Sequence, residues 1–548
     1  MIKIIKENHN TIIIFILPLI LFFIGFLVYK DYGISLDEEI TRNNGLVSIK
    51  YIVDLFFPQY ASNFELIQNI PELKNYSDKQ YGTFFEILVI SIVEILLEVK
   101  NFSEIYYYRH LANHCLFITA LICFYFLCQN LFKNRIYAFF GTSILYTTPR
   151  IFAESFYNSK DLAFLSFFIF LVYFSIKLIK KTNYYNAFLL SIFAALAINS
   201  RIVAFYVGIL IILFFCIEFL MKNKFDTKKI KVLIFFLFFK LAFLYLAWPF
   251  LWDNPIENII YTLSTFSRFV LWGGYVFYLG EFHKVFYLPW HYLVVNFFAT
   301  TPILISLLIM CGLLQLLFRF FKRLINIDYK NPCQDIWRGE KEKIFLFLFF
   351  VVCIPIFLIF LFDSVIYNGW RHLFFLYPSL ILFLIYFIDI IAIKFRKKKI
   401  IKYINIILVI ILLNNIYSLI SLHPFQYVYF NSIFEKNANK LFEIDYWGVS
   451  NKFSLEKLTE DNLEKNKIVV GVASFTNLYL SKKMLDTKLQ DKLVITGQDF
   501  RDVDFIFNNN YFEINNKHDD KYHIPKNFKK YSKLKRGGIL INEFYVKE

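Results

Sequence analysis

The chain has 548 residues, of which 58% are hydrophobic and only 19% charged, with a mean hydropathy of +0.50. A soluble domain is roughly half apolar and about a quarter charged; here the apolar residues also gather in runs of membrane length, so an ordinary soluble enzyme is excluded and an integral membrane protein is expected. The net charge of +16 comes with no nucleic-acid-binding motif, and Lys and Arg concentrate in short loops, as the positive-inside rule demands of cytoplasmic loops.

The first apolar run, 11–29, follows Lys3 and Lys6 and lacks a small-residue cleavage site, so it reads as a retained signal-anchor. Residues 30–107 then form a long exterior loop with two helical stretches. In the second, 83–99, Glu86, Glu94 and Glu98 fall within a sector of roughly 120° at about 100° per residue, the pattern of a helix lying in the interface. Further spans at 108–130, 136–149, 161–179, 185–199, 202–221, 231–248, 291–318, 344–362, 373–393 and 401–421 bring the total to about 11. From a cytoplasmic N-terminus, this parity puts Lys133/Arg135, Lys180/Lys181, 222–231, 319–343 and 394–399 inside and the C-terminus outside.

From His423 onward hydropathy collapses. Strand-like runs at Ile468–Ala473, Leu493–Ile495, Val503–Phe507 and Ile539–Ile541 predict a small exterior α/β domain over 423–548, against a membrane domain over 1–422. The seven cysteines, at 115, 123, 128, 216, 311, 333 and 353, form neither a CxxC pair nor a zinc spacing, which implies no disulfide framework and no metal role for Cys. There is no Walker A loop or GxGxxG fingerprint, which argues against an ATP- or dinucleotide-driven machine.

The chemistry concentrates in the exterior loops. Asp37-Glu38-Glu39 follows the first span directly, and carboxylates held beside hydrocarbon usually persist for a function. The next loop carries Arg150, Glu154, Lys160 and Asp161, and Arg201 sits at a hairpin tip. Later loops supply Trp248, Trp252, His283, Trp290, His291, Trp370, Arg371 and His372. Cations suit an anionic lipid phosphate as it binds and departs, a carboxylate suits an acceptor proton, and tryptophans suit a sugar face. Each residue also has a plainer reading. Asp37 and Glu38 can be first-turn acids, Asp161 a helix cap, Arg201 and Arg371 snorkelling anchors, and His283 and His291 ordinary interface residues.

The ordered stretches Gly-Ile-Ser-Leu-Asp-Glu (33–38), Asn-Ser-Lys-Asp (158–161), Trp-Pro-Phe-Leu-Trp-Asp-Asn-Pro (248–255), Leu-Pro-Trp-His-Tyr (288–292) and Asn-Gly-Trp-Arg-His (368–372) resemble those of bacterial C-type (GT-C) glycosyltransferases. Within that superfamily they resemble the branch of protein O-mannosyltransferases and lipid A aminoarabinose transferases, over roughly residues 1–430. The resemblance implies inverting transfer of a sugar from a polyprenyl-phosphate carrier to an envelope lipid, polysaccharide or protein. That transfer would take place on the non-cytoplasmic face of a bacterial inner membrane. It maps the base to Asp37, with Glu38 adjacent, and a second acid to Asp161. Lys160, Arg150, Arg201, Trp252, His291, Arg371 and His372 become candidate substrate-binding residues. No metal ligand is assigned, and a divalent ion is the one cofactor left open. Gln80-Tyr-Gly-Thr stands where the family commonly has His-Pro-Pro, and no trefoil-like insert is present. His423–Asn431 and Glu443–Gly448 also look like stretches of bacterial members, without attached chemistry. Two other classes stay open. A lipid-linked-saccharide transporter would use Glu218, Lys240 and Asp389 as an intramembrane relay, and an envelope assembly protein would work through 423–548.

Overall fold

The computed structural model describes residues 16–62, 64–222, 226–268, 273–325, 339–395, 398–509 and 522–548. The start of the first expected span and Cys333 lie outside them. The architecture is a polytopic helical bundle followed by a small C-terminal sheet, and the protein is an integral membrane protein. Among the described residues, eight helices are long and apolar enough to cross a bilayer, and Ile16–Val28 (α1) and Tyr184–Ser200 (α8) are shorter apolar helices.

Polar residues at the ends set the helix boundaries. Asn101 Oδ1 accepts from the Glu104 N–H to start α4 (Phe102–Phe132), and Lys133, at φ +53, ends it. Asn134 caps α5 (Arg135–Thr147), Asn183 caps α8, and Asp226 accepts from the Lys228 and Lys229 N–H groups at the head of α10 (Thr227–Ala247). The bundle continues through α7 (Asp161–Lys180) and α9 (Phe205–Lys222). Beyond α11 (Pro255–Arg268) come α12 (Tyr292–Thr300), α13 (Ile303–Ile325), α14 (Glu340–Leu361), α15 (Tyr377–Phe395) and α16 (Lys398–Leu422).

Two expected spans take a different form. The span at 136–149 is the thirteen-residue α5, which at about 1.5 Å per residue falls short of a hydrocarbon core of about 30 Å. The loop expected after it is a helix, α6 (Pro149–Tyr157), in which every residue is buried. The span at 291–318 is broken at Thr301-Pro302, where proline removes an N–H and holds the preceding residue extended. The carbonyls freed there are answered from beyond the last span. Asn431 Nδ2 donates to Phe298 O at 2.5 Å and Thr301 O at 3.1 Å, and Asn431 N to Ala299 O at 2.9 Å. This gives the 423–431 stretch a structural task.

The first loop is folded tightly onto the bundle. Gly45 of α2 (Glu38–Phe56) lies so close to α3 (Phe84–Ile90) that a Cβ would come within 2.6 Å of Ile90 Cδ1, which is the reason for a glycine there. Helix α3 and the π-helical turn after it direct their acids inward. Glu86 pairs with Arg109 on α4 at 2.5 Å and accepts from Ser159 Oγ at 2.6 Å, and Glu94 pairs with Arg42. Leu88, Ile92, Leu96 and Leu97 point outward, the arrangement of an element seated in a membrane interface.

Beyond α17 (Ser450–Glu460), the C-terminal sheet has the order β4-β3-β5-β7-β6. Its strands are β3 (Ile468–Val472), β4 (Leu493–Gly497), β5 (Phe505–Asn508), β6 (Phe528–Arg536) and β7 (Ile539–Lys547). The first three pair in parallel and the last two antiparallel. Strand β6, Phe-Lys-Lys-Tyr-Ser-Lys-Leu-Lys-Arg, was hidden in the sequence by its lysines, which suit an exposed edge. A separate hairpin, β1 (Tyr275–Tyr278) with β2 (Glu281–Lys284), sits between α11 and α12. Leu455, Val470, Phe505, Phe507 and Phe544 form a core under the large sheet. Residues 425–449, in contrast, pack into the core of the helical bundle through Phe425, Tyr427, Phe442 and Trp447.

Candidate active site

Four turns meet at one end of the bundle: the start of α2, the α6–α7 junction, the α8–α9 turn and the segment entering α15. Asp37 occupies the N-cap position of α2 but makes no capping hydrogen bond with its side chain. Asp161 is the first residue of α7, whose N-cap residue is Lys160. Arg201 ends α8, and Arg371 opens a short 3-10 turn before α15.

These four residues form one charge cluster. Arg371 Nη1 donates to Asp37 Oδ2 at 3.4 Å and to Asp161 Oδ2 at 3.2 Å, and Arg201 Nη2 pairs with Asp161 Oδ1. Asn158 closes the fourth side, with Nδ2 donating to Asp161 Oδ2 at 3.0 Å and Oδ1 accepting the Asp161 N–H at 2.9 Å. The two carboxylates therefore differ in kind. The Asp161 side chain is 1% exposed and both its oxygens are engaged, as a buried ionised carboxylate requires. The Asp37 side chain is 29% exposed, and among the described residues its single side-chain hydrogen bond is the long one to Arg371. Among the described residues, Asp161 thus has both carboxylate oxygens paired, whereas Asp37 is paired through Oδ2 alone.

Around this core, Lys160 Nζ lies 4.1 Å from the centre of the Tyr81 ring, with no carboxylate in ion-pair range among the described residues. The His372 ring meets Tyr367 edge-on at 4.8 Å and is in electrostatic reach of Arg371, Arg201, Asp161 and Lys160. The Arg371 guanidinium is flanked by the rings of Tyr367 at 5.0 Å and Trp447 at 4.6 Å. A cavity lined by Thr41, Asn44, Tyr81, Ser159, Lys160 and Ser200 adjoins the cluster.

The other expected residues lie elsewhere. Glu38 is turned inward, accepting the Ser35 N–H at 2.7 Å and facing His110 Nε2 at 3.0 Å, so it braces the first loop rather than assisting Asp37. Arg150 is buried, its Nε donating to Tyr429 O at 3.1 Å and its guanidinium over Phe430 at 4.9 Å. Trp252 packs on Tyr51 and Phe56, and its Nε1 donates to Tyr245 O at 2.6 Å. His291 Nδ1 is bonded to Tyr278 OH at 2.6 Å. The snorkelling reading of Arg201 and Arg371 gives way to their ion pairs.

Sequence reasoning missed Asn158, Tyr81, Tyr367 and Trp447 as parts of this site. Asn158 was legible, since it stands three residues before Asp161 at a helix start. Glu154 is a further buried acid beside the cluster. Its Oε2 accepts from Asn158 Nδ2 at 2.7 Å, its Oε1 has no partner, and burial pushes its carboxyl up to about 7. Among the described residues, no group of three or more His, Cys, Asp or Glu is placed to hold a metal ion.

Fold and site together define a polytopic membrane protein with an acid–arginine cluster at one end of its bundle. Residues 92–251 match the family model described as dolichyl-phosphate-mannose-protein mannosyltransferase. The chain also aligns with the crystal structure of ArnT from Cupriavidus metallidurans in the apo state, at 9% identity and a TM-score of 0.45 over 98% of both chains. The same ArnT bound to undecaprenyl phosphate aligns at 8% identity and 0.44, again over 98% of both. No curated protein matches the chain.

Proposed function

We propose that this protein transfers a sugar from a polyprenyl-phosphate carrier to an acceptor, with inversion, at the end of the bundle that carries Asp37, Asp161 and Arg371. The observation that carries this reading is the pair of unlike carboxylates on one arginine: a saturated, buried Asp161 and an under-coordinated, accessible Asp37. Supporting it, the glycosyltransferase family match runs through Asp161 and Arg201.

In the proposed reaction, Asp37 takes the proton of the acceptor hydroxyl or amide as that atom attacks the anomeric carbon. The bond from the anomeric carbon to the phosphate oxygen breaks, and its electron pair leaves with the polyprenyl phosphate. Arg371, Arg201 and Lys160 neutralise the departing charge, where fixed donors are most effective, and His372 beside them offers a neutral hydrogen-bond donor. Asp161 holds both arginines in place. The acceptor is an envelope lipid, polysaccharide or protein. The active end faces away from the cytoplasm of a bacterial inner membrane, the N-terminus lies inside, and the sheet-bearing part of 423–548, from Ser450 onward, forms an exterior domain, in keeping with the distribution of Lys and Arg.

The intramembrane charges on which a transporter would depend are spread apart: Glu218 pairs with Lys229, Asp389 with Lys341, and Lys240 lies over the Phe205 ring at 4.5 Å. The test is release of sugar from labelled polyprenyl-phosphate sugars in vesicles, comparing wild type with Asp37→Asn. Loss of turnover at an unchanged protein level supports the assignment. Equal turnover removes Asp37 as the base.

A further inference from the structure

After the last helix, the chain returns to the cluster. Trp447 lays its ring beside the Arg371 guanidinium, and its carbonyl accepts the N–H of Leu36 at 3.0 Å, one residue before Asp37. Just after it, Val449 O sits within 2.5 Å of where a Cβ on Gly33 would lie. A single strap, residues 443–449, thus touches both the arginine and the backbone that presents the proposed base.

The strap is fastened by the C-terminal sheet. The fully buried Asp445 carboxylate accepts from Tyr427 OH and Ser450 Oγ, each at 2.5 Å, and from Asn509 Nδ2 at 3.3 Å. Asn509 Nδ2 also reaches Asp445 O at 3.1 Å. Asn509 directly follows β5; Asn542, on β7, donates to Ser450 Oγ at 2.7 Å; and Thr476, just after β3, contacts Asn509 and Asn451. Gly448, at φ +67, makes the turn where a Cβ would meet Thr476 at 2.8 Å. The Asp445 carboxylate at its centre has both oxygens bonded, and a buried network of this kind favours one geometry. Among the described residues, Arg371 Nε and Trp447 Nε1 are buried donors with no acceptor, an arrangement that suits an entering anion.

We propose that the C-terminal sheet positions the phosphate-binding arginine through this strap, with Asp445 and Trp447 as positioning residues. Trp447 flanks Arg371 and supplies a second N–H toward the lipid phosphate. The inference rests on the transferase reading and adds a task for the C-terminal sheet.

The test uses full-length protein in nanodiscs and reads three quantities: undecaprenyl phosphate binding, steady-state turnover of a labelled polyprenyl-phosphate sugar, and the thermal midpoint. Trp447→Phe keeps the ring and removes the donor; Trp447→Ala removes both; Asn509→Ala loosens Asp445 from the sheet side. The expected result is a graded weakening, with Trp447→Ala binding roughly fivefold or more weaker, Trp447→Phe intermediate, and KM for the donor raised at an unchanged midpoint in Trp447→Phe. Wild-type binding and KM in both Trp447→Ala and Asn509→Ala would overturn the positioning role while leaving the transferase reading intact. A wild-type protein that neither binds undecaprenyl phosphate nor turns over any donor would overturn both.

Discussion

Asp37→Asn and Asp161→Asn should fail in different ways, and the structure gives the sizes. Asp37 is partly exposed and contributes one ion pair at 3.4 Å; exposed pairs contribute about 0–1 kcal/mol to stability. A general base contributes about 10²–10⁴-fold in rate, or roughly 3–5 kcal/mol of barrier. Asp37→Asn should therefore leave folding nearly untouched and reduce turnover by about two to four orders of magnitude. Asp161 is buried against Arg201, Arg371 and Asn158. Removing its charge leaves Arg201 without its carboxylate and Arg371 with only the long contact to Asp37, and breaking a buried pair costs about 3–5 kcal/mol. Asp161→Asn should thus lower the thermal midpoint and the amount of folded protein as well as activity. The assay pairs thermal scans in detergent with labelled sugar release in proteoliposomes. A stable, inactive Asp161→Asn beside an active Asp37→Asn would refute the division of roles and move the base to Asp161.

Arg371→Lys should weaken turnover about 10- to 100-fold, because an ammonium has no planar face to lie between Tyr367 and Trp447 and no further nitrogens to reach a phosphate; a charged hydrogen bond contributes about 1.5–3 kcal/mol, and kcat/KM for the donor reads it. Trp252→Ala should leave turnover within about twofold, since its contacts are with Tyr51, Phe56 and Tyr245 and not with the cluster. Arg109→Met should cost about 3–5 kcal/mol of stability by leaving Glu86 buried without its cation, seen as a lowered thermal midpoint. Glu443, whose Oε1 accepts the Phe277 N–H at 3.1 Å, is pushed by burial from 4.5 up to about 8. Its raised folded value means that the stability it confers is fully present below about 4.5 and is lost as pH rises through about 8. Glu443→Gln should flatten the fall of the thermal midpoint between about pH 5 and pH 9, as thermal scans across that range would show.

The sequence by itself determined the membrane class, the position of most helices and the charged character of the loops that meet at one end of the bundle, because these depend on runs of apolar residues and on which charges are placed where a bilayer makes charge costly. It also singled out Asp37, Asp161, Arg201 and Arg371 individually. It could not say that Arg371 lies between the two acids, since that contact joins residues 334 and 210 positions apart. Nor could it say that Glu38, next to Asp37, turns away to His110 while Asp37 remains accessible. Adjacent helix positions point about 100° apart, so only packing decides which of two neighbouring acids faces the site. The same holds for Trp447, whose motif was visible but whose partners, Arg371 and Leu36, come from opposite ends of the bundle domain. Composition and periodicity report what a residue's own segment does. The geometry of the site arises from close packing among segments remote in sequence, where burial forces each polar group to find its partner.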